Sequence, residues 1–88
     1  MKALFLFTMR LVKEIPHPRY LIQIHEYNSK YLLKITLDSY EQIFKFDKDQ
    51  FSNLDDIEVL LSDEFFTNCL SRFISMRKDI LEFKKTKE

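Results

Sequence analysis

Apolar and polar residues alternate with period two at the start of the chain. Ala3, Phe5, Phe7, Met9 and Leu11 fall on one side, and Lys2, Thr8, Arg10 and Glu14 on the other. That period predicts a strand, because successive side chains of extended backbone point to opposite faces. Pro16-His17-Pro18 ends it, since each proline fixes φ and removes a ladder N–H. A loop of that length sets Met9 and Leu11 beside Ile24 and Ile22. Two more alternating segments follow, 20–27 and 31–38, separated by Asn28 and Ser29. A two-residue turn there makes Ile24 face Leu33, Ile22 face Ile35 and Tyr20 face Leu37. The same register sets Gln23 opposite Lys34 and Arg19 opposite Asp38 on the other side. A slip of one residue would oppose core to polar positions, so this register is strongly specified. After a reversal at 38–41, a short fourth strand at 42–46 brings Phe44 and Phe46 to Leu37 and Ile35.

From Ser52 the period becomes helical, with Leu54, Ile57, Leu60 and Leu61 apolar and acids between them. Ser52 or Asn53 can cap this helix. Ser62 is a second N-cap candidate, followed by a stripe of Phe66, Cys69, Leu70, Phe73, Met76, Arg77, Ile80 and Phe83. The expected fold class is therefore α+β. It is a four-stranded antiparallel meander, then a short acidic helix, then one long amphipathic helix packed on the apolar sheet face. Arg72, Lys78, Asp79 and Glu82 should stay in solvent. The chain reads as a single domain, 1–88, with 84–88 a frayed tail.

A helix from Asp63 to about Lys85 spans roughly 34 Å, against roughly 26 Å for an eight-residue strand. Its end should overhang the sheet. Residues 3–7 should overhang as well, and there Leu4 and Leu6 are apolar on the face opposite Phe5 and Phe7. Such surface in a small chain is normally covered. A homodimer is the expectation, with contacts at Leu4, Phe5, Leu6, Phe7, Ile80, Leu81 and Phe83.

Composition narrows the chemistry. Nine Phe and four Tyr stand against no Trp and no Gly. Without Gly the chain has none of the phosphate-cradling loops that nucleotide sites build from it. The lone Cys69 can form no internal disulfide, which points to a reducing compartment, the cytoplasm. The apolar start is short, is interrupted by Arg10 and lacks a small-residue cleavage site, so it reads as a strand and not a signal peptide. No run approaches transmembrane length.

Formal charge is zero but unevenly placed. Residues 1–34 carry six cations against two acids, and residues 35–66 nine acids against two cations. That polarity suits a protein partner or self-contact at least as well as nucleic acid. His17, His25 and Cys69 have no zinc-site spacing, so no metal and no cofactor are expected. Cys69 lies on the helical core stripe, where it packs as a small hydrophobe instead of serving as a nucleophile. Asp55-Asp56 and Asp63-Glu64 stand in first helical turns, where acids favour the dipole. Nothing in these patterns points to an enzyme.

The outer sheet face should present Leu21, Gln23, His25, Tyr27, Leu32, Lys34, Thr36, Ile43 and Lys45. Partner binding is assigned to Leu21, His25, Tyr27, Leu32, Lys34, Tyr40 and Ile43. Tyr27 beside these lysines also offers a stacking platform, so single-stranded nucleic-acid binding is the alternative. Four antiparallel strands followed by a helix resemble the plan of small single-strand DNA-binding modules of the positive-cofactor and Whirly groups, which dimerise through their helices. No motif of either group is present, so the resemblance is one of architecture and transfers no site. The expected function is that of a non-enzymatic, homodimeric accessory protein that modulates a larger protein or nucleoprotein assembly. By analogy alone, a short, Gly-free, Phe- and Lys-rich chain resembles those that bacteria or phages use to adjust larger assemblies, nucleic-acid-cutting defence machinery included.

Overall fold

The computed structural model describes residues 9–87. Its order is β1 (Arg10–Ile15), β2 (Leu21–Tyr27), β3 (Lys30–Leu37), β4 (Tyr40–Asp47), a 3-10 turn (Lys48–Gln50), α1 (Leu54–Glu58) and α2 (Asp63–Lys87). The four strands form one antiparallel sheet in sequence order, the expected meander. Two compact units divide the chain, the sheet through Leu54 and the helical part from Asp55.

The central hairpin has the register that the alternation predicts. Ile22 pairs with Ile35, Gln23 with Lys34 and Ile24 with Leu33. The turn is Asn28-Ser29, with φ of 47° and 61°. Two successive positive φ angles match the right-handed twist of the flanking strands, and Asn tolerates them better than most residues. Ile22, Ile24, Leu33 and Ile35 are each no more than 1% exposed. They form the centre of the sheet's buried face, and Tyr20 is buried just ahead of β2.

The β3–β4 turn is tighter than expected. It closes on the pair Leu37 and Tyr40, with positive φ at Asp38, so β4 extends over eight residues. Phe44 consequently pairs with Leu33 and Phe46 with Tyr31, not with Leu37 and Ile35, while Gln42 takes the place opposite Ile35.

β1 departs further from expectation. Leu11 pairs with His25, and an irregularity between Leu11 and Lys13 then sets Lys13 opposite Ile24 and Ile15 opposite Ile22. Val12 is the extra residue of a β-bulge, which shifts everything on one side of it by one position. Leu11 therefore lies beside His25 instead of Ile22, and it is 49% exposed. The connection to β2 is also longer than Pro16-His17-Pro18. It runs to Tyr20, and His17 Nδ1 accepts the N–H groups of Arg19 and Tyr20 at 3.0 and 3.1 Å. The dimer-contact candidates Leu4, Phe5, Leu6 and Phe7 lie outside the described residues.

α1 is shorter than its apolar period implies. It ends at Glu58, and Leu60 and Val59 are exposed beyond it. Hydrogen bonds of the turn then carry the chain to Ser62, with Leu60 N–H donating to the Ile57 carbonyl and Leu61 N–H to that of Glu58. Ser62 caps α2 as expected, its Oγ accepting the Phe65 N–H at 3.1 Å. Within the helical unit Ile57, Cys69 and Phe73 are buried, Phe66, Leu70 and Met76 are half-buried, and Arg72, Lys78, Asp79 and Glu82 are exposed.

Candidate interaction surface

Directly paired residues share a face, so the registers define the outer side of the sheet row by row. One row reads Leu11, His25, Leu32, Lys45 across the four strands, and the next reads Glu14, Gln23, Lys34, Ile43. Leu21, Thr36 and Glu41 form a third, and Tyr27, Lys30 and Asp47 close the face at the Asn28-Ser29 end.

These rows bring together Leu21, His25, Tyr27, Leu32, Lys34 and Ile43 of the sequence-derived candidates. Tyr40 is not among them, because it pairs with Leu37 on the opposite side. Leu32 departs from the expected exposure. It occupies an outer row, yet only 6% of it reaches solvent. It sits on a central strand between His25 and Lys45, and a residue with neighbours on both strands loses most of its surface to them. Leu32 is thus a floor to the surface and not a contact point.

What remains exposed is apolar and charged with both signs, since Glu14, Glu41 and Asp47 reach solvent alongside Lys30 and Lys45. Leu11, Leu21 and Ile43 are exposed large hydrophobic side chains on this face. Alternation assigned Leu11 to the core. The apolar residue at Val12, where alternation demands a polar one, was the signal of the bulge that turns Leu11 outward.

The polar groups between them are mutually oriented. Gln23 Nε2 donates to Glu14 Oε1 at 3.3 Å, and Gln23 Oε1 lies 3.4 Å from His25 Nε2. Lys34 Nζ is 3.6 Å from Glu41 Oε2. Burial, together with the charge of Lys34, pulls the His25 pKa below its ordinary value. Thr36 Oγ1 is buried without a hydrogen-bond partner among the described residues.

The other side of the sheet carries a charge cluster at its rim. Glu26 accepts Arg10 Nη2 at 2.9 Å and ion-pairs with Lys48. The Lys48 ammonium also stands 5.4 Å from the Tyr31 ring centroid. The hydrogen bond from Lys48 and then that from Arg10 hold the Glu26 carboxyl below its ordinary range, although burial opposes them. The cluster joins β1, β2, β3 and the 3-10 turn, which is a structural role.

In the helical unit the candidates Ile80, Leu81 and Phe83 are all exposed on the last turns of α2. A shallow hollow there is lined by Lys78, Leu81, Glu82, Lys84 and Lys85. No described helix is long and apolar enough to cross a membrane. Among the described residues no three His, Cys, Asp or Glu side chains converge as a metal site. No protein-family model, curated protein or solved structure matches this chain.

Proposed function

We propose that this chain is a small, non-enzymatic, homodimeric accessory protein that docks through the outer face of its sheet on a larger protein or nucleoprotein assembly and modulates it. The observation that carries the reading is the exposure of Leu11, Leu21 and Ile43 on one face, interleaved with Lys34, Lys45, Gln23, His25, Glu14 and Glu41. Apolar side chains framed by adaptable polar groups are the make-up of a docking patch. The exposed Ile80, Leu81 and Phe83 add apolar surface for contact between copies.

The test compares the unmodified chain with a Leu11→Asp, Leu21→Asp double variant as bait in extracts of the native host. Both positions are solvent-facing, so the variant should keep its fold. A partner retained by the first and lost by the second supports docking. Retention on single-stranded DNA or RNA with a steep salt slope, abolished by Lys34→Ala, would move the reading to nucleic-acid binding instead.

A further inference from the structure

We propose that the open edge of β4 pairs with β4 of a second copy, antiparallel and about a two-fold axis through Ile43. The inference rests on the homodimer reading above and names the surface that forms it. β4 is an edge strand of eight residues, paired with β3 along its whole length without a bulge or proline. The opposite edge, β1, is interrupted by the bulge at Val12. Among the described residues, therefore, only β4 presents a regular edge, the kind that templates pairing with another chain.

Backbone direction follows from the turn. The closing pair of a two-residue hairpin exchanges hydrogen bonds, and such pairs alternate along an antiparallel ladder. Tyr40, Gln42, Phe44 and Phe46 therefore direct their N–H and C=O groups to β3. Glu41, Ile43 and Lys45 direct theirs to the edge, where among the described residues no backbone partner meets them. The next outward group, the Asp47 N–H, is taken by Gln50 Oε1 at 2.8 Å, so the open stretch ends there.

Charge selects the register. A two-fold axis at Ile43 sets Ile43 opposite its own copy and flanks it with two pairs of Glu41 against Lys45 of the second copy. The other face then places Tyr40 opposite Phe46 and Gln42 opposite Phe44. Moving the axis to Phe44 opposes Glu41 to Asp47, and moving it to Gln42 opposes Glu41 to Ile43. Axes at Glu41 or Lys45 set like charges against each other, which is unfavourable. Only the Ile43 axis matches opposite charges, and in it Glu41 lies between its own Lys34 and the incoming Lys45. The product is a continuous eight-stranded sheet whose two docking faces point the same way.

Sedimentation velocity and cysteine crosslinking test this on the full chain. The unmodified protein should be a dimer at micromolar concentration. Lys45→Glu should weaken association about tenfold or more by creating two like-charge pairs, and adding Glu41→Lys should restore it. Ile43→Cys should form an intermolecular disulfide, because hydrogen-bonded partners sit about 5.5 Å apart at Cα, within disulfide reach. Lys45→Cys should not, since the two copies of that position are staggered by roughly 14 Å along the strands. A monomeric unmodified chain overturns both the homodimer and the edge pairing. A dimer that Lys45→Glu leaves intact and Ile43→Cys fails to crosslink overturns the edge pairing alone and returns the contact to other surfaces.

Discussion

Ile22 and Ile35 oppose one another across the central hairpin, and neither is more than 1% exposed. The adjacent pair, Gln23 and Lys34, lies on the other face and remains partly in solvent. Replacing either isoleucine by Ala should cost about 2–5 kcal/mol, since it removes buried methyl groups and leaves a cavity. Gln23→Ala or Lys34→Ala should cost well under half of that. Urea unfolding of the four variants checks the register, and equal losses on both faces would contradict it.

Ser29 holds φ of 61° in the hairpin turn, a conformation that glycine adopts without steric cost. Ser29→Gly should raise stability by about 1 kcal/mol, the lower end of the usual strain at such positions. Its carbonyl accepts the Lys48 N–H at 3.1 Å, a bond that the substitution leaves in place. A loss of stability on thermal unfolding would mean that the turn is not relieved by glycine.

Acidification should weaken the fold in two separate windows. The folded pKa of His25 is lowered by burial and by Lys34, so below about pH 6.5 the unfolded chain takes up that proton more readily and stability falls. Leu11, Leu32 and Lys45 share its row, and Glu14, Gln23 and Lys34 stand in the next, where Gln23 lies between Glu14 and the ring; burial and Lys34 set the direction of the shift. Glu26 acts lower. Its contribution is present above its unfolded value of about 4.3 and is lost as pH falls through the lower folded value. His25→Gln should abolish the first window alone and Glu26→Gln the second alone, as read from urea midpoints between pH 7.5 and 3. An unchanged upper window in His25→Gln would assign it to another group.

Cys69 is fully buried, and burial pushes its thiol pKa up although Arg72, with Nη2 3.4 Å from Sγ, pulls the other way. Thiol reagents attack the thiolate, so labelling of the native chain at pH 7 should be far slower than in urea. Rapid native labelling would show that the helical unit opens readily.

Ile80 and Phe83 are exposed on α2. As part of the proposed contact between copies they should matter for association, so Ile80→Lys with Phe83→Lys should weaken the dimer in sedimentation velocity while changing the stability of the single chain by less than about 0.5 kcal/mol, the usual scale for surface substitutions. An unchanged dimer would leave these side chains outside the contact.

Local alternation in the sequence was sufficient for the central hairpin. Each segment sets its isoleucines and Leu33 on one face against Gln23, His25, Lys34 and Thr36 on the other, so a slip of one residue would oppose core to polar positions, and Asn28-Ser29 supplied a turn of matching length. The Ser62 cap and the stripe through Cys69 and Phe73 were legible for the same reason, since they depend on residues one helical turn apart. Where the sequence misled, pairing with a neighbouring strand decided the outcome. The bulge at Val12 turned Leu11 outward because β1 must accommodate β2, and the tight turn after Leu37 moved Phe44 and Phe46 along β3. Leu32 kept its outer position but lost its exposure to strands on both sides. The outer face and the open edge of β4 exist only once four strands are aligned, because each is a property of rows across the sheet and not of any one segment.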